Sequence, residues 1–439
     1  MADETQTLDD NRTRGTAATA PAVDSAAPWR SVWITRLVVT GIVIAALNLR
    51  PAITSLGALL EEARAGLHMS GSVTGLLTSV PPLCFAVFGI AAPRLARRFG
   101  PAAVVCAGMA AIATGLAVRP FTGGTAFFLA ASALALMGIA VSNVLMPVIV
   151  KRYFPDRLGP MTGLYSMALA LGTSVAAAAT VPMTEALGGS WRVGLAVWAG
   201  LAALAVLPWI GLVRNREQGR EQGREQGRGA AGRSTADNQH ASASASAPRI
   251  RRSPTAWALA CFFGLQATGA YITMGWMPQI FRDAGVSAGT AGVLLAVTMV
   301  MGVPLAFVIP RLATRMRNQG PIVVALGLSG LTGYLGLLLA PAAGAWAWAL
   351  LLGVSNCAFP LALTMIGMRS RTGAGVARLS AFAQSTGYLI AIPGPLLVGV
   401  LYQHSGGWEL PIGLMAALIV PQIAVGILAG RDRTVEDEF

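Results

Sequence analysis

Charge is scarce in this sequence. Only 12% of its 439 residues are Asp, Glu, Lys or Arg, about half the roughly 25% of an ordinary soluble domain, while 54% are hydrophobic. One core cannot absorb that imbalance in so long a chain, so the sequence belongs in a bilayer. Lysine is almost missing: Lys151 is the single Lys among 32 basic residues, a bias that fits GC-rich coding better than any binding chemistry. Four cysteines, Cys84, Cys106, Cys261 and Cys357, sit far apart in apolar runs. That spacing excludes a disulfide framework, a zinc site and a redox motif, and leaves them as small core residues. Histidine is confined to His68, His240 and His404, all outside the apolar runs, which excludes a mid-membrane His relay. No G-x-x-x-x-G-K-[ST] is present, so this chain is not an ATP-driven pump by itself. No nucleophile with a base, metal cluster or paired carboxylates occurs, which argues against a membrane enzyme and calls for no cofactor and no metal. Residues 1 to 30 have no apolar stretch, so they do not form a cleaved signal peptide.

What is present is a series of apolar runs long enough to cross about 30 Å of hydrocarbon as helices. They fall near 33–60, 71–93, 101–119, 124–150, 158–183 and 191–213, then near 254–281, 287–310, 320–340, 344–368, 374–402 and 408–430. The expected fold is all-α and membrane-integral, with twelve spans in two six-helix bundles covering 33–213 and 254–430. Between them, 214–253 holds a Glu-Gln-Gly-Arg repeat and a Ser/Ala run, neither able to bury apolar surface, and reads as a flexible linker. Segments 1–32 and 431–439 read as polar tails, the first disordered.

The formal net charge of +13 would suggest nucleic acid in a soluble protein, but its distribution points to the lipid surface. Counted by alternate loops, 27 basic residues share one side with the termini. Arg64, Arg119, Arg192 and Arg282 fall on the other side, and Arg50 falls on neither. By the positive-inside rule both termini are cytoplasmic. The two halves also resemble each other. Pro93-Arg94-Leu95-Ala96-Arg97-Arg98 matches Pro310-Arg311-Leu312-Ala313-Thr314-Arg315, and Val141-Ser142-Asn143 with Pro147 matches Val354-Ser355-Asn356 with Pro360. A duplicated six-helix unit is the plan of a secondary transporter with its site between the repeats.

At these residues the chain resembles the major facilitator superfamily. The family's second-to-third loop carries G-x-x-x-D-x-x-G-R-R, and here Gly89 and the pair Arg97 and Arg98 are kept while Pro93 replaces the Asp and Ala96 the second Gly. A latch built on that Asp is therefore in doubt, and the basic pair would instead meet phosphate head groups or helix ends. Three stretches further resemble the cyanate and 2-nitroimidazole transporter branch. They are Leu47-Asn48-Leu49-Arg50-Pro51-Ala52-Ile53-Thr54-Ser55; Lys151-Arg152-Tyr153-Phe154-Pro155-Asp156-Arg157 leading to Gly163-Leu164-Tyr165; and Leu379-Ser380-Ala381-Phe382-Ala383-Gln384-Ser385-Thr386-Gly387-Tyr388. The resemblance implies a permease of the bacterial cytoplasmic membrane.

Arg50 is the most informative residue. It lies midway in the first span, where a charged side chain costs from about 3 kcal/mol upward and faces a cavity as a rule. It could snorkel or pair with a carboxylate, but snorkelling works near helix ends, and every Asp and Glu lies in a tail, a loop or at a span end. A guanidinium without a resident counter-ion is a place for a ligand anion. Asn48, about 200° round the helix, shares a face with Arg50 only if the helix breaks, which Pro51 favours; it either meets the substrate or bonds the freed backbone. Asn143 and Asn356, the duplicated pair, read first as packing and gating residues. On helices that line the cavity in the family, Tyr165, Gln384 and Tyr388 offer polar groups. Gln266, Tyr271 and Trp276 would add an aromatic wall with hydrogen-bonding tips, although a lone aromatic in a span also serves as lipid or packing surface.

The sequence thus reads as a secondary transporter, acting as a monomer, whose partners are the bilayer and a small anionic or nitro-aromatic substrate. The rival reading is a multidrug exporter, which for cationic drugs would want an intramembrane carboxylate. A coupling proton would have to be carried by the substrate or by Glu61 or Glu62 at the mouth.

Overall fold

The computed structural model describes residues 28–154, 157–227 and 250–438. The disordered tail expected over 1–32, except its last residues, and the middle of the expected linker lie outside the described residues. Among the described residues, twelve helices are long and apolar enough to span a membrane. In the N-terminal half they are α1 (Trp33–Ala58), α2 (Gly71–Phe99), α3 (Pro101–Phe121), α4 (Thr125–Tyr153), α5 (Gly163–Ala186) and α6 (Trp191–Arg214). In the C-terminal half they are α7 (Pro254–Asp283), α8 (Ala288–Arg315), α9 (Gly320–Leu339), α10 (Ala345–Met368), α11 (Arg378–Ser405) and α12 (Glu409–Ala429).

Starts and stops follow the local chemistry. Ser70, Ser253 and Ser287 cap α2, α7 and α8 by accepting from Val73, Ala256 and Thr290 N–H groups, which satisfies orphan donors of the first turn. Gly100, with φ 89°, makes the sharp turn into α3, a conformation that a side chain would strain. Four spans are interrupted: α1 between Asn48 and Pro51, α8 at Met301, α10 at Cys357 and α11 at Ile392. The break in α1 arises because Pro51 has no N–H to donate. Past it, Arg50 becomes the cap of the next helical segment, and its carbonyl accepts from the N–H groups of Ile53 and Thr54.

The sixth helix departs from expectation by running on as Trp191–Gly227 into the expected linker. The repeat there sets each Glu three residues before an Arg, a spacing that supports helix even without apolar burial.

The two halves meet closely at the end distal to the termini. A methyl placed on Gly57 of α1 would stand 2.1 Å from the Met274 carbonyl oxygen of α7, and one on Gly75 of α2 would stand 2.8 Å from the Leu396 carbonyl of α11. Such small-residue crossings let helix backbones touch inside a membrane. Polar clamps reinforce them: the Gln403 Oε1 of α11 accepts from the Ser72 N–H and hydroxyl at 2.8 Å each, and Arg282 pairs with Glu62 at 2.9 Å. Contacts between the halves concentrate in this distal portion, and toward the termini they thin to α5 against α8 around Gly163 and Phe307.

The C-terminal residues are not a loose tail. A short 3-10 turn, Val435–Glu438, straps the start of α7 to the loop after α10. The Val435 N–H donates to the Arg369 carbonyl at 2.9 Å. The Glu436 carboxylate accepts from the Ser370 hydroxyl and the Arg371 N–H, and Asp437 pairs with Arg371. Glu438 accepts from the Ser253 hydroxyl and from the Thr255 N–H and hydroxyl. Burial pulls the Glu436 carboxyl upward, but its hydrogen bonds from Ser370 and backbone N–H groups outweigh that and leave it below the usual carboxylate range. Bonds from the Thr434 N–H and hydroxyl likewise hold Asp437 low.

Candidate functional site

The break in α1 carries Arg50 to the seam between the halves. Its side chain is half-buried, and among the described residues no carboxylate pairs with it. Instead it lies within electrostatic reach of three phenols: Tyr271 of α7, Tyr388 of α11 and Tyr165 of α5. The Tyr271 hydroxyl lies beside the guanidinium and is buried without a hydrogen-bond partner of good geometry. The Tyr165 hydroxyl donates to the Asn143 Oδ1 of α4, which leaves the phenol oxygen free to accept. Four of the expected residues are thereby brought together, with Asn143 joined to them through Tyr165.

Aromatic packing fixes the tyrosines. Phe85 of α2 stacks on Tyr388 with ring centroids 4.9 Å apart and stands 6.4 Å from Tyr271, while Phe263 of α7 meets Tyr388 edge-on at 5.2 Å. Rings so held lose few further rotamers when a ligand arrives, so binding costs less ordering entropy. Sequence reasoning missed Phe85 and Phe263, since a bare Phe in a span carries no signal that separates site from core. The resulting cluster joins one cation, hydroxyl groups and flat aromatic faces contributed by both halves.

The other expected residues sit elsewhere. Asn48 is buried, and its amide donates to the Ile44 carbonyl at 2.8 Å and to the Leu201 carbonyl of α6 at 3.1 Å. It therefore ties α1 to α6. Trp276 lies toward the distal end, donating to the Thr78 hydroxyl at 3.2 Å with its ring 5.8 Å from Trp408. Gln266 and Asn356 line a separate cavity of about 30 Å³ with Thr273, Tyr334 and Gln422, walled by neither Arg50 nor its tyrosines. Gln384 donates to the Ser380 hydroxyl one turn away at 2.7 Å. Gly89 approaches Val144 of α4, and Arg97 and Arg98 are exposed at the end bearing the termini.

Two arginines assigned to loops are buried. Arg369, at the end of α10, donates to the carbonyls of Ala429 and Gly430 and to the Gln319 side chain. Arg119, at the end of α3, is 1% exposed and donates to the Ala52 carbonyl at 3.1 Å, just past the break in α1. Both positions end a long apolar run, which is why they look like loop cations. Packing from neighbouring helices encloses them.

Comparison with known proteins accords with this architecture. Residues 38–368 match the Major Facilitator Superfamily. The chain is 31% identical to the 2-nitroimidazole transporter of Escherichia coli (strain K12) over 401 residues, covering 91% of this chain and 96% of that protein. It is 29% identical to the cyanate transport protein CynX of the same organism, covering 86% and 93%. Among solved structures, a bacterial homolog of the human lysosomal transporter Spinster, in an inward-facing and occupied conformation, superposes with a TM-score of 0.71 at 16% identity over 93% of this chain and 98% of that one.

Proposed function

This chain belongs to the Major Facilitator Superfamily and is a secondary transporter, and on that premise we propose that its substrate is a small anionic or nitro-aromatic solute. The observation that carries the reading is Arg50: an unpaired guanidinium at a helix break, beside three tyrosines from both halves. The planar fork grips two oxygens of a carboxylate or nitro group, or one end of a linear anion, through charge-assisted bonds. The hydroxyls of Tyr165, Tyr271 and Tyr388 supply further polar contacts, and the faces of Phe85 and Tyr388 suit a flat ring. A sugar would call for more amides and carboxylates than the chamber offers.

Alternating access follows from where each group sits. The Arg50 and Tyr165 groups belong to one half, Tyr271 and Tyr388 to the other, so a ligand held by all four draws the halves together. The described conformation is sealed at the distal end by Gly57, Gly75, Gln403 and the Arg282–Glu62 pair. With 27 basic residues on the side of the termini, that side reads as the cytoplasm of a bacterium and the conformation as inward-facing. Two relatives, named for nitroimidazole and cyanate transport, support the substrate class.

The test uses inverted and right-side-out vesicles carrying the wild-type chain or Arg50→Gln. Labelled 2-nitroimidazole and cyanate should cross in a carrier-dependent way with the wild type and at background rate with the variant. Full transport of either solute by Arg50→Gln removes Arg50 from the site. Failure of the wild type to move any small anion or nitro-heterocycle removes the substrate class.

A further inference from the structure

Arg119 presents a second, separate piece of chemistry. It is 1% exposed, and one nitrogen is used on the Ala52 carbonyl, while its Nε and Nη2 are buried without partners. Among the described residues no carboxylate pairs with it, and its remaining neighbour of note is the Phe128 ring, 5.9 Å from the guanidinium carbon. Arg119 lines a cavity of about 20 Å³ together with Ser132 of α4, Thr78 and Pro81 of α2, Ala52 and Gly57 of α1, and Tyr271 and Gly275 of α7. The Ser132 hydroxyl is also buried without a partner.

The inventory of polar hydrogens is one-sided. The Arg119 Nε and Nη2 and the Ser132 hydroxyl can donate into this space, and the Thr78 hydroxyl already has partners in the carbonyls of Thr74 and Gly75 and the Trp276 indole. Arginine cannot shed its proton at any accessible pH, so the buried positive charge calls for a negative partner. A volume of this size exceeds the roughly 10–15 Å³ that one water requires. It is sized for one small ion rather than for a ring. We propose that the Arg119 cavity is a binding site for one small monovalent anion of halide size, distinct from the substrate site at Arg50.

The site is built across the seam. Arg119, Ser132 and Thr78 belong to the N-terminal half, whereas Tyr271 and Gly275 belong to the C-terminal half and reach the cavity only because α7 presses on α1 at Gly57. Separation of the halves at the distal end would remove that wall and open the anion to solvent. The anion therefore binds the distally closed state more tightly and shifts the population toward it by that difference in affinity.

The experiment measures the melting temperature of purified full-length protein in sodium chloride, sodium bromide and sodium gluconate at equal ionic strength, with no transport substrate. Chloride and bromide should each raise the melting temperature over gluconate by about 2 °C or more at concentrations ten times their Kd. Arg119→Gln should lose the difference and Arg50→Gln should keep it, which separates this site from the substrate site. Should Arg119→Gln fail to fold, Ser132→Val keeps the arginine and fills the cavity with a methyl, and it should also lose the difference. Crystals grown in bromide should show one anomalous peak between Arg119 and Ser132. Equal melting in chloride and gluconate, a halide effect that survives Ser132→Val, or density for water alone at that place overturns the proposal.

Discussion

Replacing Arg50 by Gln asks two questions of one variant, and they have opposite signs. If Arg50 served folding through a resident partner, its loss would leave that partner stranded and cost about 3–5 kcal/mol of stability. The structure shows no such partner among the described residues, so the ligand-free protein carries an uncompensated, half-buried charge. A charge in mid-membrane costs at least about 3 kcal/mol before its residual exposure offsets part of it. Ligand-free Arg50→Gln should therefore melt at the wild-type temperature or above it. Binding should move the other way. Two charge-assisted hydrogen bonds contribute about 1.5–3 kcal/mol each, so at the lower end their loss weakens the substrate Kd by about 150-fold. Arg50→Lys keeps the charge without the planar fork and should lose about one bond's share, roughly 10-fold. The assay is paired: melting temperature without substrate, in a bulky-anion buffer, and equilibrium binding of the transported solute to the same preparations. A variant that melts well below wild type, or binds within a few-fold of it, refutes the assignment of Arg50 to an anionic ligand.

Three further outcomes follow from other contacts. Tyr271→Phe keeps the ring and removes the hydroxyl beside Arg50, and it should weaken substrate binding about 5-fold with little change in melting temperature, since one neutral hydrogen bond contributes about 1 kcal/mol; unchanged affinity in a titration would remove that hydroxyl from the site. Gly57→Val drives side-chain atoms onto the Met274 carbonyl and should favour the distally open state, read as faster modification of a cysteine placed at Ser72 by a membrane-impermeant reagent; a rate equal to that of the same cysteine without the Gly57 change would contradict it. The strap carboxylates Glu436 and Asp437 are held below their ordinary range, so the stability they lend is full above the unfolded value near 4 and is lost as pH falls through the folded value. Proteolysis of the C-terminal residues should accelerate only below about pH 4, and Glu436→Gln should be cut faster at neutral pH; equal cutting at pH 7 would show that the strap is not held by that carboxylate.

Hydropathy was enough to place every span to within six residues at its ends, because crossing a bilayer demands a length of apolar chain that no other fold needs. The helix break in α1 was readable too, from one proline beside one arginine. Arg50, Tyr165, Tyr271 and Tyr388 were readable as polar groups in apolar runs, but which of them share a chamber depends on helix rotation. Trp276 follows Tyr271 by five residues, about 140° round α7, and so points to another part of the seam. Asn48 does not join Arg50 although the helix breaks between them, because its amide is spent on the Ile44 and Leu201 carbonyls on the face that meets α6. Phe85 was invisible for the converse reason, as packing alone distinguishes a site phenylalanine from a lipid-facing one. Arg119 and Arg369 show the limit of loop counting, since a cation at a helix end is enclosed or exposed according to neighbours distant in sequence.

The strap also has a bearing on how the chain is made. Ser253 at the head of α7 and Glu438, which caps it, are 185 residues apart. At about 5–20 residues per second of synthesis, α7 spends roughly 10–40 s without its carboxylate cap while the rest of the C-terminal half emerges. During that interval its first turn is held by Ser253 and Pro254 alone. A fusion partner placed after Glu438 would sit against the contacts that the strap makes with the start of α7.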